Sequence, residues 1–413
     1  MIKLSIKNYW PFFLGLFLGI YFISLNVLGK TLLYLPGDLG DTRFVIYLLE
    51  HFYQYITGNV DYYWGAPFFV PAPDVLTFSE NLLGVAPLFA MFRKLGFDVE
   101  TSFQFWYLLL VVLNYSSSYV FLNKLFNNKY AAVIGAMLFA FSMALQGQLE
   151  HAQTFPRFCI PLALLFATEF IQTFKARYFF LMCSTLVIQM YCTIYLGMML
   201  IIPLLIFLAI SLLSHYKDYL KHVTDIKWLG YVLLGLAVNG AALYYLLKPY
   251  TQRADRTGYT PWEIVHDNVP RLESYFFSRP GSFLWSAFEN TADYLPRFYN
   301  QYLFIGGLGI LLCTVFILFA IKKIIDNRNS IQSFIQKPIV LLGLTALCTY
   351  LLYLRVGDFT LYKGVFSLPG YGSIRAVPRI INIELMFVAI AAAYVLAWFF
   401  SSIKKYAALA FVL

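Results

Sequence analysis

The hydrophobic pattern of this chain is neither the alternation of a half-buried strand nor the one-sided stripe of a soluble helix. Long apolar runs are separated by polar breaks, with runs near residues 10–28, 103–122, 130–148, 158–174, 178–192, 195–213, 228–247, 302–321, 338–354 and 379–400. A helix needs about 20 residues to cross a hydrocarbon layer of about 30 Å, so each run predicts a membrane-spanning helix, about ten in all. The first, WPFFLGLFLGIYFISLNVL, is not followed by a small-residue cleavage motif and reads as a retained helix. The shorter LLGVAPLFAMF (82–92) carries Pro87 and predicts a re-entrant or interfacial piece, and the final AALAFVL reads as the opening of another span. No internal repeat, low-complexity tract or separate soluble domain interrupts the pattern. The expected fold class is an all-α integral membrane protein, one polytopic domain over residues 1–413.

Composition agrees, since 60% of the residues are hydrophobic and 12% charged, too few charges to clothe a soluble chain of this length. All five cysteines fall inside apolar runs, where a thiol behaves as a small hydrophobe, so no disulfide framework is expected. The formal charge of +9 would suggest nucleic acid in a soluble protein; here its distribution between loops matters more, and no nucleic-acid partner is expected. Lys3, Lys7, Lys124, Lys129, Lys175, Arg177, the 214–227 loop, Lys322, Lys323, the 324–337 loop, Lys404 and Lys405 share one side, with 15 basic residues against 3 acids. The longer opposite loops hold 15 against 16. By the positive-inside rule the first set is cytoplasmic. A multi-pass plasma (inner) membrane protein with a cytoplasmic N-terminus follows, and loops 29–101, 149–157, 248–301 and 355–378 face outward.

Candidate chemistry lies in those outer loops. In LPGDLGDTRFVIYLLEHFYQYITG (35–58), Gly37 and Gly40 permit a tight turn after Pro36, and Asp41 sits where an N-cap would. A membrane-surface helix is expected next, with Arg43, Tyr47, Glu50, His51 and Gln54 on one stripe. Asp38 either stabilises the turn or faces the active side of the loop. The aromatic stretch that follows, including Tyr62, Tyr63, Trp64, Phe68 and Phe69, reads as an interfacial belt or a sugar platform, and Asp74, Glu80 and Asn81 return polar groups to the same face.

The next outer loop, GQLEHAQTFPRF (147–158), gathers Glu150, His151, Gln153 and Arg157 at a membrane boundary. In GSIRAVPRIINIEL (372–385), Arg375 and Arg379 stand four residues apart. Arginine suits phosphate because its planar fork gives paired charge-assisted bonds; otherwise Arg379 snorkels at the interface and pairs with Glu384. The 248–301 loop, which carries Arg253, Tyr259 and Arg279, could close over a substrate, whereas Glu169 near a cytoplasmic span end reads as structural.

On these residues the chain resembles the GT-C superfamily of membrane glycosyltransferases, which use lipid-phosphate-linked sugars. The likeness covers about residues 1–215: a first span, a long outer loop with an early acid (Asp38, Asp41), and a second acid (Glu150) after the third span. The phrase GDLGDTRF is also similar to one in uncharacterised bacterial multispan proteins placed in that group. The resemblance implies that Asp38 or Asp41 acts as base or metal ligand and that Glu150 supplies the second acid; Arg43, His151, Gln153, Arg375 and Arg379 complete the expected substrate-binding set. The second loop reads EHAQ where the oligosaccharyltransferase branch has Asp-x-Asp, so no specific motif marks a divalent cation as cofactor. The expected activity is inverting transfer of a sugar from a polyprenyl-phosphate-linked donor to an extracytoplasmic glycan or lipid acceptor. The alternatives are a multispan transporter or flippase for lipid-linked envelope precursors, or a non-catalytic assembly factor. Transporters tend toward internal repeats and polar groups at the bilayer midplane, whereas these acids sit in outer loops.

Overall fold

The structure is a computed structural model that describes residues 6–37, 39–327 and 331–402. Asp38, Lys3, Arg328, Lys404, Lys405 and the AALAFVL segment lie outside the described residues. The helices that matter here are, in chain order, α1 (Tyr9–Leu28), α2 (Asp41–Ile56), α3 (Ala86–Lys94), α4 (Val99–Phe126), α5 (Lys129–Phe141), α6 (Cys159–Thr173) and α7 (Ala176–Cys192). They continue with α8 (Ile194–Ser214), α9 (Tyr216–Val223), α10 (Ile226–Thr257), α11 (Trp262–Asp267), α12 (Gly307–Asp326), α13 (Pro338–Tyr353) and α14 (Ile381–Ser402). Each apolar run of the sequence coincides with one of them. Among the described residues, eight helices are long and apolar enough to cross a membrane, and α7 and α13 are shorter apolar helices. The architecture is that of an all-α multi-pass membrane protein. Its small hairpin, β1 (Arg355–Val356) and β2 (Phe359–Thr360), pairs antiparallel with Arg355 opposite Thr360.

Local chemistry sets several boundaries. Asp98 caps α4 by accepting from the Thr101 amide at 2.7 Å, and Asn127 ends the helix in a left-handed conformation. Asn128 then caps α5 through the amides of Tyr130 and Ala131. Helix packing in a bilayer gains little from hydrophobicity, so small residues mark the close contacts. A Cβ on Gly135 of α5 would lie 2.9 Å from the Ala389 carbonyl oxygen of α14, beside the buried Ala131, Ala132 and Ala136.

Four expectations change. Asp41 does not cap α2: the helix begins at Asp41 itself, Gly40 occupies the cap position, and no side-chain cap bond forms. Only Gly37 of the two turn glycines needs its freedom, with φ +95° against −91° at Gly40. The polar stripe on α2 is not all outward, because His51 is buried against the Tyr63 carbonyl oxygen at 2.8 Å, while Glu50 pairs with Arg93 of α3 at 2.8 Å. As expected, the 82–92 segment does not span: its residues from 86 onward belong to the nine-residue α3, too short to cross. The 248–301 loop begins later than expected, since α10 continues through Pro249 to Thr257.

Candidate functional site

The site starts with the Gly37 turn. A Cβ there would collide with the Thr42 hydroxyl and stand 2.7 Å from the Leu149 carbonyl oxygen, so only glycine lets the turn before α2 press against the 147–158 loop. That contact delivers Asp41 to the 151–153 segment. His151 Nδ1 lies 3.0 Å from Asp41 Oδ2, Gln153 Nε2 donates to the same oxygen at 3.4 Å, and Arg379 Nη2 is 4.0 Å away. The hydrogen bond with His151 is the main cause holding the Asp41 carboxyl below its ordinary range; desolvation opposes it, and the charges of His151 and Arg379 and the Gln153 bond assist. The carboxylate stays about half exposed, at 52%.

Asp41 stands on the wall of a cavity of about 1030 Å³ formed where α2, the N-terminus of α8, the C-terminus of α10 and the 373–379 loop converge. Arg379 is mostly buried, with its guanidinium 4.8 Å from the centre of the Tyr195 ring and its Nε unpartnered. The Tyr195 hydroxyl accepts from the Ala376 amide, which ties α8 to the arginine loop. Glu80 accepts from the amides of Ile194 at 2.6 Å and Tyr195 at 3.2 Å, so it caps α8 from another loop. Burial raises the Glu80 carboxyl from its ordinary range and the charge of Arg379 opposes that rise. Arg379 therefore acts on both carboxylates of the cavity.

The other cations point the same way. Arg253 reaches in from the end of α10, its guanidinium 5.4 Å from the centre of the Phe78 ring, with Nη1 donating to Thr257 at 3.3 Å and Nε buried and unpartnered. Arg297 and Arg375 line the cavity, and neither forms an ion pair among the described residues. Four arginines (Arg253, Arg297, Arg375, Arg379) face two carboxylates (Asp41, Glu80), and one of those carboxylates is occupied in capping a helix. The surplus of positive charge suits an anion, and the unpartnered Nε atoms are donors that a phosphate could satisfy. Phe44, Tyr47, Phe68, Phe69 and Phe78 form an aromatic wall beside it, with Phe44 and Phe68 5.6 Å apart and Phe69 and Phe78 5.5 Å apart.

Of the residues expected to catalyse or bind substrate, Asp41, Gln153, Arg375 and Arg379 line the cavity and His151 contacts Asp41; Tyr47, Glu80, Arg253 and Tyr259 line it as well. Glu150 lies outside the lining, paired with Arg279 at 2.9 Å, and Arg43 is exposed and also outside it. Arg379 does not pair with Glu384, which instead accepts from the Tyr275 hydroxyl at 3.0 Å. The aromatic stretch divides: Phe68 and Phe69 line the cavity, Tyr63 is buried on the Asn81 carbonyl, and Tyr62 donates to Asp74 at 2.6 Å. Glu169 pairs with Lys124 at 3.5 Å. Sequence reasoning missed Tyr195, Tyr250, Arg297 and the capping role of Glu80; Glu80 meets its amides 114 and 115 residues away, a separation no local pattern reveals. No group of three or more His, Cys, Asp or Glu side chains is placed to hold a metal ion among the described residues. No protein-family model matches the chain, and no curated protein or solved structure matches it either.

Proposed function

We propose that the chain is an inverting membrane glycosyltransferase that moves a sugar from a polyprenyl-phosphate-linked donor to an extracytoplasmic glycan or lipid acceptor. On this reading ten helices span the bilayer, the basic short loops are cytoplasmic, and the cavity opens on the outer side. The observation that carries it is the half-exposed Asp41 carboxylate, kept ionised by His151, on the wall of a cavity with surplus arginines and aromatic residues. The acceptor hydroxyl oxygen attacks the anomeric carbon from the face opposite the phosphate and inverts it, while its proton passes to Asp41. The bond from the anomeric carbon to the phosphate oxygen breaks and its electron pair leaves with the polyprenyl phosphate. Arg253, Arg375 and Arg379 receive the growing negative charge, and the aromatic wall takes the first isoprene units. General-base help is worth roughly 10²- to 10⁴-fold in rate, and charge stabilisation of the leaving group adds to it.

The experiment is release of polyprenyl phosphate from synthetic sugar-linked donors by the purified chain with candidate acceptors. Asp41→Asn is expected to lose at least about 10²-fold in rate with donor binding kept, and Asp38→Asn, run in parallel, separates the two possible acceptors. Full activity in Asp41→Asn would remove that residue as the base. Movement of intact donor across sealed vesicles without release would replace the enzyme by a flippase.

A further inference from the structure

A second concavity lies at the opposite end of α10 from the residues that line the cavity. α7 and α10 run from it toward the large cavity: their first residues border it, while Thr193, just after α7, precedes the Glu80-capped end of α8, and the end of α10 bears Arg253. The cleft measures about 570 Å³. Lys175, Arg177 and Lys227 form its rim, and Phe180, Tyr231 and Leu234 its walls. Beside it the two helices pack closely, since a Cβ on Gly235 would lie 3.3 Å from the Phe180 ring.

At the rim three cations stand against one acid. Lys175, Arg177 and Lys227 are exposed, and none forms an ion pair among the described residues. The acid at the rim, Asp225, has Oδ1 engaged with the amides of Lys227 at 2.9 Å and Trp228 at 3.4 Å, capping α10. Trp228 is fixed by its Nε1 donating to the Phe174 carbonyl at 2.6 Å. Below the rim the surface turns apolar and stays exposed, Tyr231 at 65% and Leu234 at 56%. A basic collar over an exposed apolar groove between two membrane helices is complementary to one kind of molecule, with a negative headgroup at the collar and chains along the groove.

We propose that this cleft binds an anionic glycerophospholipid, with the phosphate among Lys175, Arg177 and Lys227 and the acyl chains against Phe180, Tyr231 and Leu234. The site is separate from the transfer cavity and stands whether or not the chain is a glycosyltransferase. It links bilayer composition to α7 and α10, the helices that lead to the cavity.

The test is lipid retention on the purified full chain, measured by native mass spectrometry with phosphatidylglycerol and phosphatidylcholine. Wild type is expected to keep phosphatidylglycerol in preference to phosphatidylcholine, and the preference should weaken as salt rises. Each neutralisation, Lys175→Gln, Arg177→Gln or Lys227→Gln, should weaken phosphatidylglycerol binding roughly fivefold and leave phosphatidylcholine unchanged. The pair Lys175→Arg and Lys227→Arg keeps the charge and should retain binding, which guards against a fold defect. Equal retention of the two lipids, or undiminished phosphatidylglycerol binding in the triple Gln variant, would overturn the proposal. Complete displacement of the lipid by inorganic phosphate at matched ionic strength would also overturn it, by assigning a free-anion site.

Discussion

Asp41 is the residue on which capping and chemistry separate. It begins α2 without a side-chain cap bond, so Asp41→Asn is expected to leave thermal stability within about 1 kcal/mol of wild type, the size of an ordinary cap effect. Its depressed pKa fixes the sign of a pH effect. An acid held below its ordinary range is stabilised in the ionised form by the fold; that contribution is complete above the ordinary carboxylate range and is lost as pH falls through the lower folded value. Transfer that depends on ionised Asp41 should therefore persist below the ordinary aspartate pKa. His151→Ala removes the largest lowering cause, so the acid limb of the pH–rate profile should move up; an unmoved limb would show that His151 does not tune this acid. Asp41, His151, Gln153, Arg375 and Arg379 were legible because charged and polar groups at span ends stand out in a chain this apolar. The sequence could not show that Glu150 turns to Arg279, since that partner lies 129 residues away.

At the scale of elements, the cavity depends on how two pieces end. Glu80 supplies acceptors for the first amides of α8 from a buried position, and removing it leaves those donors unpaired. Glu80→Ala is expected to cost about 1–3 kcal/mol in thermal or denaturant unfolding, with Glu80→Gln losing less because one acceptor remains. The Gly37 turn is the other, where any Cβ meets both a positive φ and the second loop; Gly37→Ala should destabilise by more than about 1 kcal/mol and lower activity with it. The helices themselves were legible because an unbroken apolar run is its own signal. The extension of α10 to Thr257 was not, because Lys248, Pro249 and Arg253 read as loop chemistry, and the helix carries them only because it projects beyond its apolar segment.

Across the whole molecule, α10 runs from a basic cleft with exposed apolar walls at one end to an arginine-lined cavity at the other. The proposed sidedness is tested by labelling intact cells with an impermeant thiol reagent in a background lacking Cys348: Asp61→Cys and Asp293→Cys should react and Lys221→Cys should not. The reverse pattern would place the cavity in the cytoplasm. The central proposal is that the cavity seats a lipid-linked phosphate, and the structure of the purified chain with a non-hydrolysable polyprenyl-phosphate sugar bound tests that directly. The phosphate is predicted among Arg253, Arg375 and Arg379, with the isoprene chain along Phe44, Phe68 and Phe69 and the anomeric carbon facing Asp41. A phosphate held elsewhere, or a sugar turned away from Asp41, would contradict it.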